Sequence, residues 1–384
     1  MRKVDPVVDE AIETLNMKDG PSRRRLLSGA GLVSATAAAS ALVAGCTAPA
    51  NSSSTSSGGA DGVFPKTPAW QFWFVNHVTT NPFFTPTQYG MSDAAKLLGL
   101  PTPKWGGSTN SVISDMTSYF QQAVAAKADG IATTVISATA FTAPVKSAME
   151  GGIPVVSYNS DGVYVHGKPV IGTNRLCYVG QSLYVSGQAM GRKIKELIPG
   201  GGEIVIFIAT PGTGNIQPRY DGAVSVLGSE FKVTESGTGA TVPQENPAEK
   251  AYLLAHKSIK GAFAVDAGST EVLGAQLKAA GLKVPSGGFD TLGSTVSNIK
   301  NGLMDFTIYQ DPYLQGFLPV LYLYLYKVSG GVLYPPDTDT GLSIITKDSI
   351  GSYAEGSRYQ GTATAPKYIP ASGAINAPMA TTST

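Results

Sequence analysis

The chain has 384 residues, 28 Lys and Arg against 27 Asp and Glu, a formal charge of +1 and only 14% charged residues. That length supports two domains of ordinary size with a sizeable core, and the near-neutral balance offers no field to polyphosphate, which argues against nucleic acid as a partner. Two cysteines, Cys46 and Cys177, make no disulfide framework.

The first segment reads as an address. Residues 22–27 are SRRRLL, a weakly apolar run follows from Gly29 to Ala44, and residues 43–46 are VAGC. This is the order of a basic region, a short hydrophobic region and a small-residue cleavage site. The run is shorter than the roughly 20 strongly apolar residues of a membrane-spanning helix. The arginines resemble a twin-arginine export signal and VAGC resembles the lipobox of bacterial lipoproteins. Residues 1–46 are therefore expected to be a lipoprotein signal peptide, with Cys46 the lipidated first residue of the mature chain. Residues 47–66, rich in Ser, Thr, Ala and Gly, read as a flexible tether with a reach of about 20 Å. The body is expected outside the cytoplasm and tied to a membrane.

Beyond Trp70 short apolar runs alternate with helical patterns. WQFWFV is a strand, and the stretch from Pro86 to Gly99 opens on a first-turn proline and stops on a glycine. SVISDMTSYFQQAVAAKADG places Ile113, Met116, Phe120 and Ala123 on one helical face. IATTVI is the next strand, followed by a helix to Met149, a Gly151-Gly152 stop and the strand IPVVSY. YVGQSLYVSGQAMGRKIKEL starts a long amphipathic helix. Then come strand EIVIFIA, a helix from Gln217 to Leu227, strand AFAVD, a helix from Thr270 to Ala280, and strands GGFD and FTIYQ.

Such alternation predicts parallel sheets covered by helices on both faces, and its length predicts two of them. Crossings between the sheets are placed near Gly180, Gln310 and Gly341. The lobes are then 67–180 plus 311–341 and 181–310 plus 342–360, with a Pro-containing tail over 361–384.

Ligands of open α/β sheets bind at the carboxyl ends of the strands. Those ends carry His77, Asn81, Phe83 and Phe84, Asn159, Asp266, Asp290 and Gln310, and Arg219 joins them from PRYDG at a helix start. Amides, carboxylates and one guanidinium suit a polyhydroxyl ligand, because buried hydroxyls need partners and these planar groups pair with two neighbouring hydroxyls at once. Phenyl faces would cover the C–H surface. Each Asp or Asn reads equally as a cap of the following helix, and the two phenylalanines read also as core of the first helical turn. Gln310 and Arg219 have no capping role.

NPFF, AKADGI, GIPVVSYN, YVGQ, PRYDG, GGFD and YQDPYLQG, in that order over residues 68–355, resemble the periplasmic sugar-binding proteins of the ribose- and galactose-binding type. The resemblance implies two Rossmann-like, doubly wound domains joined by three hinge crossings, the type I periplasmic binding fold. It further implies a monomer that closes on one monosaccharide or polyol and passes it to the transmembrane subunits of an ABC permease, without a cofactor, metal or catalytic residue. It maps ligand contact onto His77, Asn81, Phe83, Phe84, Asn159, Arg219, Asp266, Asp290 and Gln310. Ribose-binding members carry an Asp-Arg pair where this chain has Asn159-Ser160, YVGQSL lacks their Asp-Asn, and His77 replaces a small hydroxyl residue. These departures point away from ribose, toward a different pentose, a hexose or a linear polyol.

Rival readings are weaker. An exported enzyme would need a motif that is missing: His77, His166 and His256 are scattered without metal-ligand spacing, and no nucleophile elbow, P-loop or complete dinucleotide loop occurs. Cys177 in LCYV reads as an inert buried thiol. A sensor of the same fold, presenting its closed form to a membrane receptor, is not separable by sequence. An effector domain of a transcriptional regulator conflicts with the export signal.

Overall fold

The computed structural model describes residues 67–137, 139–165, 168–350 and 353. The expected signal peptide with Cys46, the tether, the tail and His166 lie outside these residues.

The first part of the chain forms β1 (Phe72–Asn76), α1 (Thr85–Leu97), β2 (Lys104–Gly107), α2 (Ile113–Ala125), β3 (Gly130–Val135), α3 (Thr142–Glu150) and β4 (Val155–Asp161). The short strands β5 (Val163–Val165), β6 (Lys168–Val170) and β7 (Tyr178–Gly180) follow. Next come α4 (Leu183–Leu197), β8 (Gly202–Ile208), α5 (Gln217–Leu227), β9 (Phe231–Gly237), α6 (Val242–Ala255), β10 (Gly261–Ala264), α7 (Ala267–Ala279), β11 (Ser286–Phe289), α8 (Gly293–Lys300) and β12 (Phe306–Tyr309). The described chain closes with α9 (Leu314–Val328), β13 (Thr338–Asp339) and β14 (Ser343–Thr346).

Two six-stranded sheets result. The first runs β13-β7-β4-β3-β1-β2 with every pairing parallel. The second runs β14-β12-β11-β10-β8-β9, parallel except that β14 pairs antiparallel with β12. The expected α/β pair of doubly wound sheets is present. Its departures from strict parallelism are that edge strand and the antiparallel β5–β6 ribbon.

Burial explains the strand sequences. Every residue of β1, β3, β10 and β11 is buried, as expected when helices cover both faces. Side chains alternate between faces: Phe72 and Phe74 pack with Met91, Val320 and Leu323, while Trp73 and Val75 pack with Met116, Phe120 and Val145. In the second sheet Ile204, Ile206 and Ile208 face Met190 and Ala223, and Val205 and Phe207 face Leu253 and Leu273. On α2 the predicted stripe holds for Met116, Phe120 and Ala123. Ile113 is instead 37% exposed, because it opens the helix a turn ahead of the packed face.

Close helix crossings fix the cleft-side ends of two helices. A Cβ on Gly187 of α4 would collide with the Arg219 carbonyl of α5, and one on Gly222 would collide with the Tyr184 carbonyl. Only hydrogen at both positions lets the backbones meet.

The chain passes between the sheets three times: after β7, after β12 and between β13 and β14. The crossings are bonded to one another. Thr340 N donates to the Gly180 carbonyl at 3.1 Å, Gln181 Nε2 donates to the Gly341 carbonyl at 3.0 Å, and the Thr340 hydroxyl donates to the Gln310 carbonyl at 2.7 Å.

Candidate functional site

Strand ends of both sheets converge on one cleft, whose empty space counted out to solvent is about 520 Å³. Its walls include His77, Asn81, Phe83, Phe84, Asn159, Arg219, Asp266, Asp290 and Gln310 together. All nine sequence-predicted positions, drawn from well-separated segments, thus meet in one place.

From the first sheet, β1 ends in Asn76, whose Nδ2 donates to the Tyr158 hydroxyl at 2.9 Å and whose Oδ1 accepts from Val78 N at 2.8 Å. That bracing presents His77, whose Nδ1 is hydrogen-bonded to the Thr134 hydroxyl at 3.2 Å. Burial lowers its pKa to about 3, so the imidazole is neutral and can both donate and accept. Asn81 Oδ1 accepts from Phe83 N at 2.9 Å and caps the 3-10 turn Pro82–Phe84. The capping and cleft-lining readings of Asn81 therefore both hold. Phe83 and Phe84 meet edge to face at 4.7 Å, His77 stands edge to face on Phe84 at 5.3 Å, and both phenyls are buried core members as well as cleft wall. Asn159 adopts a left-handed backbone, φ 61°, and its Nδ2 donates to Gln315 Oε1 at 3.0 Å.

From the second sheet, Arg219 sits in the first turn of α5, set there by the crossing at Gly187. Its Nη1 donates to the Val265 carbonyl at 3.0 Å and its Nη2 to Gln181 Oε1 at 3.2 Å. The guanidinium lies 4.1 Å over the Phe289 ring. Burial pulls its pKa down, while Asp290 and Asp266 pull it up. Asp266 caps α7, accepting from Ser269 N at 2.8 Å and from Ala209 N at 2.9 Å. Asp290 also has a left-handed backbone, φ 74°, and accepts from Gln310 Nε2 at 2.8 Å. Burial raises it to about 6, against the pull of Arg219 and Gln310.

The two halves touch through backbone. Gly214 N, ahead of α5, donates to the Ile136 carbonyl after β3 at 2.9 Å.

Sequence reasoning missed Ser111, Thr210, Asn215, Ala240 and Glu245 in the same walls. Thr210 follows the end of β8 and was within reach of the rule that found the others, whereas Asn215 lies further on, just ahead of α5. Glu245 comes from α6, which carries Pro243 and Pro247 and so lacks an obvious helical signature. Three wall residues keep buried polar atoms with no hydrogen-bond partner in the protein: Asn215 Oδ1, Arg219 Nε and Glu245 Oε2. Such groups are rare in folded proteins and call for a partner from outside the chain, water or ligand.

Outside the cleft, Cys177 is buried and its thiol is pushed up to about 12, chiefly by burial, which leaves it unreactive.

A profile of the family described as "Periplasmic binding protein domain" matches residues 72–329. The chain belongs to the periplasmic binding proteins. Among similar proteins is the xylose/arabinose-binding protein XylF of Sulfolobus acidocaldarius, 45% identical over 80% of this chain and 78% of that one. Among solved structures, the solute-binding protein of an ABC transporter from Burkholderia graminis, in complex with D-arabinose, is 25% identical with a TM-score of 0.67, covering 76% of this chain and 99% of that one. XylFII, solved in a complex with LytSN, is 26% identical with a TM-score of 0.65, covering 73% and all of that chain (100%). The binding protein's family is one of solute capture, not catalysis.

Proposed function

We propose that this periplasmic binding protein captures one sugar or sugar alcohol between its two halves and delivers it to an ABC-type importer, held to the cell membrane by a lipid on Cys46. The observation that carries the reading is the convergence of nine amide, carboxylate, guanidinium, imidazole and phenyl side chains on one cleft between the strand ends of two sheets. Charged partners such as Arg219, Asp266 and Asp290 make hydrogen bonds about twice as strong as neutral ones. Phe83 and Phe84 supply an apolar wall for the sugar's C–H face. The xylose/arabinose-binding relative and the arabinose-bound structure favour a pentose among the candidate ligands.

The three bonded crossings support a hinge: the open and closed forms would exchange by rotation near Gly180, Gln310 and Gly341, and ligand would select the closed one. A second reading presents the closed protein to a membrane receptor, and the solved complex of a similar protein, XylFII, with LytSN supports pairing with a further protein.

A thermal-shift panel of pentoses, hexoses and sugar alcohols on protein lacking residues 1–46 tests the first half of this proposal. Ligand at 100 times its dissociation constant stabilises the fold by about 2.7 kcal/mol. A panel with no upward shift sinks the sugar reading. Membrane fractionation of Cys46→Ala cells tests the anchor: the variant is expected in the soluble extracytoplasmic fraction.

A further inference from the structure

In the cleft wall and just behind it lies a group of acids that the nine-residue site does not include. Glu245, in the first turn of α6, is 1% exposed, and Glu249, one turn on, is fully buried. Neither Glu249 oxygen nor Glu245 Oε2 has a partner in the protein. Glu245 presses against the start of α7 so closely that a Cβ on Gly268 would overlap its carboxyl oxygens, two residues from Asp266, whose carboxylate helps to raise the Glu245 pKa.

Two neighbouring carboxyls share a hydrogen bond only when one of them holds a proton, and the other contacts of Asp266 favour Glu245 as its holder. Both Asp266 oxygens already accept backbone N–H groups, from Ala209 and Ser269, and Arg219 faces Asp266 from α5. These contacts favour the ionised form of Asp266 and work against burial, the largest influence, which raises its pKa. The charged groups that face Glu245 are all acidic: Asp266 and Glu271 from α7, with Glu249 next to it on its own helix.

We propose that Glu245 is a further ligand-recognition residue that acts as a neutral carboxylic acid, donating its proton to Asp266 and offering its carbonyl oxygen to a ligand hydroxyl. The inference rests on the sugar reading of the cleft. The pair then presents two acceptors side by side, on Asp266 and on Glu245, which fits two adjacent hydroxyls of a polyol. Burial and the surrounding acids raise Glu245 to about 9 and push Glu249 up strongly as well. Above that pH Glu245 loses its proton, two negative groups face each other, and the arrangement of acceptors breaks.

The test is calorimetric titration of D-xylose and D-arabinose into the full mature chain at pH 7 and pH 10, for wild type, Glu245→Gln and Glu245→Ala. Wild type is expected to bind about tenfold more weakly at pH 10 than at pH 7. Glu245→Gln, whose amide keeps one donor and one acceptor without titrating, is expected to lose that alkaline fall, and Glu245→Ala to bind at least about tenfold more weakly at both pH values. Wild-type binding that does not weaken, or a Glu245→Gln variant that weakens as wild type does, overturns the proposal and leaves the sugar reading standing. Wild type that binds neither pentose at either pH, together with a flat response across the sugar panel, overturns both. A carbon-13 titration of the ligand-free protein separates the cases: a Glu245 carboxyl that ionises near its ordinary value of 4.5 overturns the neutral-acid assignment by itself.

Discussion

Arg219 and Gln181 are joined by a hydrogen bond of 3.2 Å, from Nη2 to Oε1. Gln181 in turn donates to the carbonyls of Gly341 at 3.0 Å and Tyr309 at 3.4 Å. A cleft residue of the second half is thereby tied, through one amide, to all three passages of the chain between the sheets. Replacing Gln181 by Leu removes this tie while leaving the cleft walls in place. The expected outcome is a threefold to tenfold weaker sugar affinity, about 0.7–1.4 kcal/mol, with a larger radius of gyration of the liganded protein in solution scattering. Unchanged affinity and size would show that the tie does not bias closure.

Removing Arg219 should do more than remove a ligand contact. It leaves Asp290 and Asp266 buried without their cation, a change that ordinarily costs about 3–5 kcal/mol. Arg219→Ala is expected to lower the melting temperature and abolish measurable sugar binding. Adding Asp290→Asn should restore part of the stability and none of the affinity. A double variant no more stable than Arg219→Ala would remove the charge-balance account.

Stability should fall as the solution turns alkaline. Between its ordinary 4.5 and about 9 the folded chain keeps a proton on Glu245 that the unfolded chain gives up, so this residue's contribution is complete below about pH 4.5 and is lost as pH rises toward 9, at up to about 1.4 kcal/mol per pH unit. His77 works the other way, but only between about 3 and its ordinary 6.5. Thermal melts from pH 6.5 to 9 should therefore decline, and Glu245→Gln should flatten the decline. A wild-type melting temperature that rises over that interval would contradict the buried acids.

Phe84 serves the core and the cleft at once, so its loss should register in both. Phe84→Ala is expected to destabilise by about 3–5 kcal/mol and to weaken sugar binding, whereas Phe84→Leu should retain most of the stability and lose the ring contact with Phe83. Melting and calorimetry on the two variants check this.

A valine at Gly222 should push α4 and α5 apart and shift Arg219 with them. Overpacking of this kind ordinarily costs about 1–3 kcal/mol. Chemical denaturation gives the loss in stability, and a fall in sugar affinity larger than for a valine at the exposed Gly200 would confirm that the crossing positions the guanidinium.

Much of this was readable along the chain because buried parallel strands leave an unmistakable apolar run, as in FWFVN and EIVIFI, and because strand ends concentrate the cleft. What escaped lacks that signature. Lys104–Gly107 is an edge strand with an exposed lysine and two glycines. α6 hides behind two prolines and low amphipathicity, and α9 carries Pro319 within an apolar run that resembles a strand. Asp266 and Asn81 show why the capping and binding readings could not be separated from residue type: each side chain caps a turn with its oxygens and still borders the cleft. Glu245 needed the third dimension, since its neighbour Asp266 is more than twenty positions away.

The three passages between the sheets also set a timetable for synthesis. The first sheet waits for β13 at Thr338–Asp339 and the second for β14 at Ser343–Thr346. Neither half can seal its edge until almost the whole body has left the ribosome, so the two halves are expected to mature together rather than one after the other, and a chain truncated before Thr338 should yield two incomplete sheets instead of one finished domain.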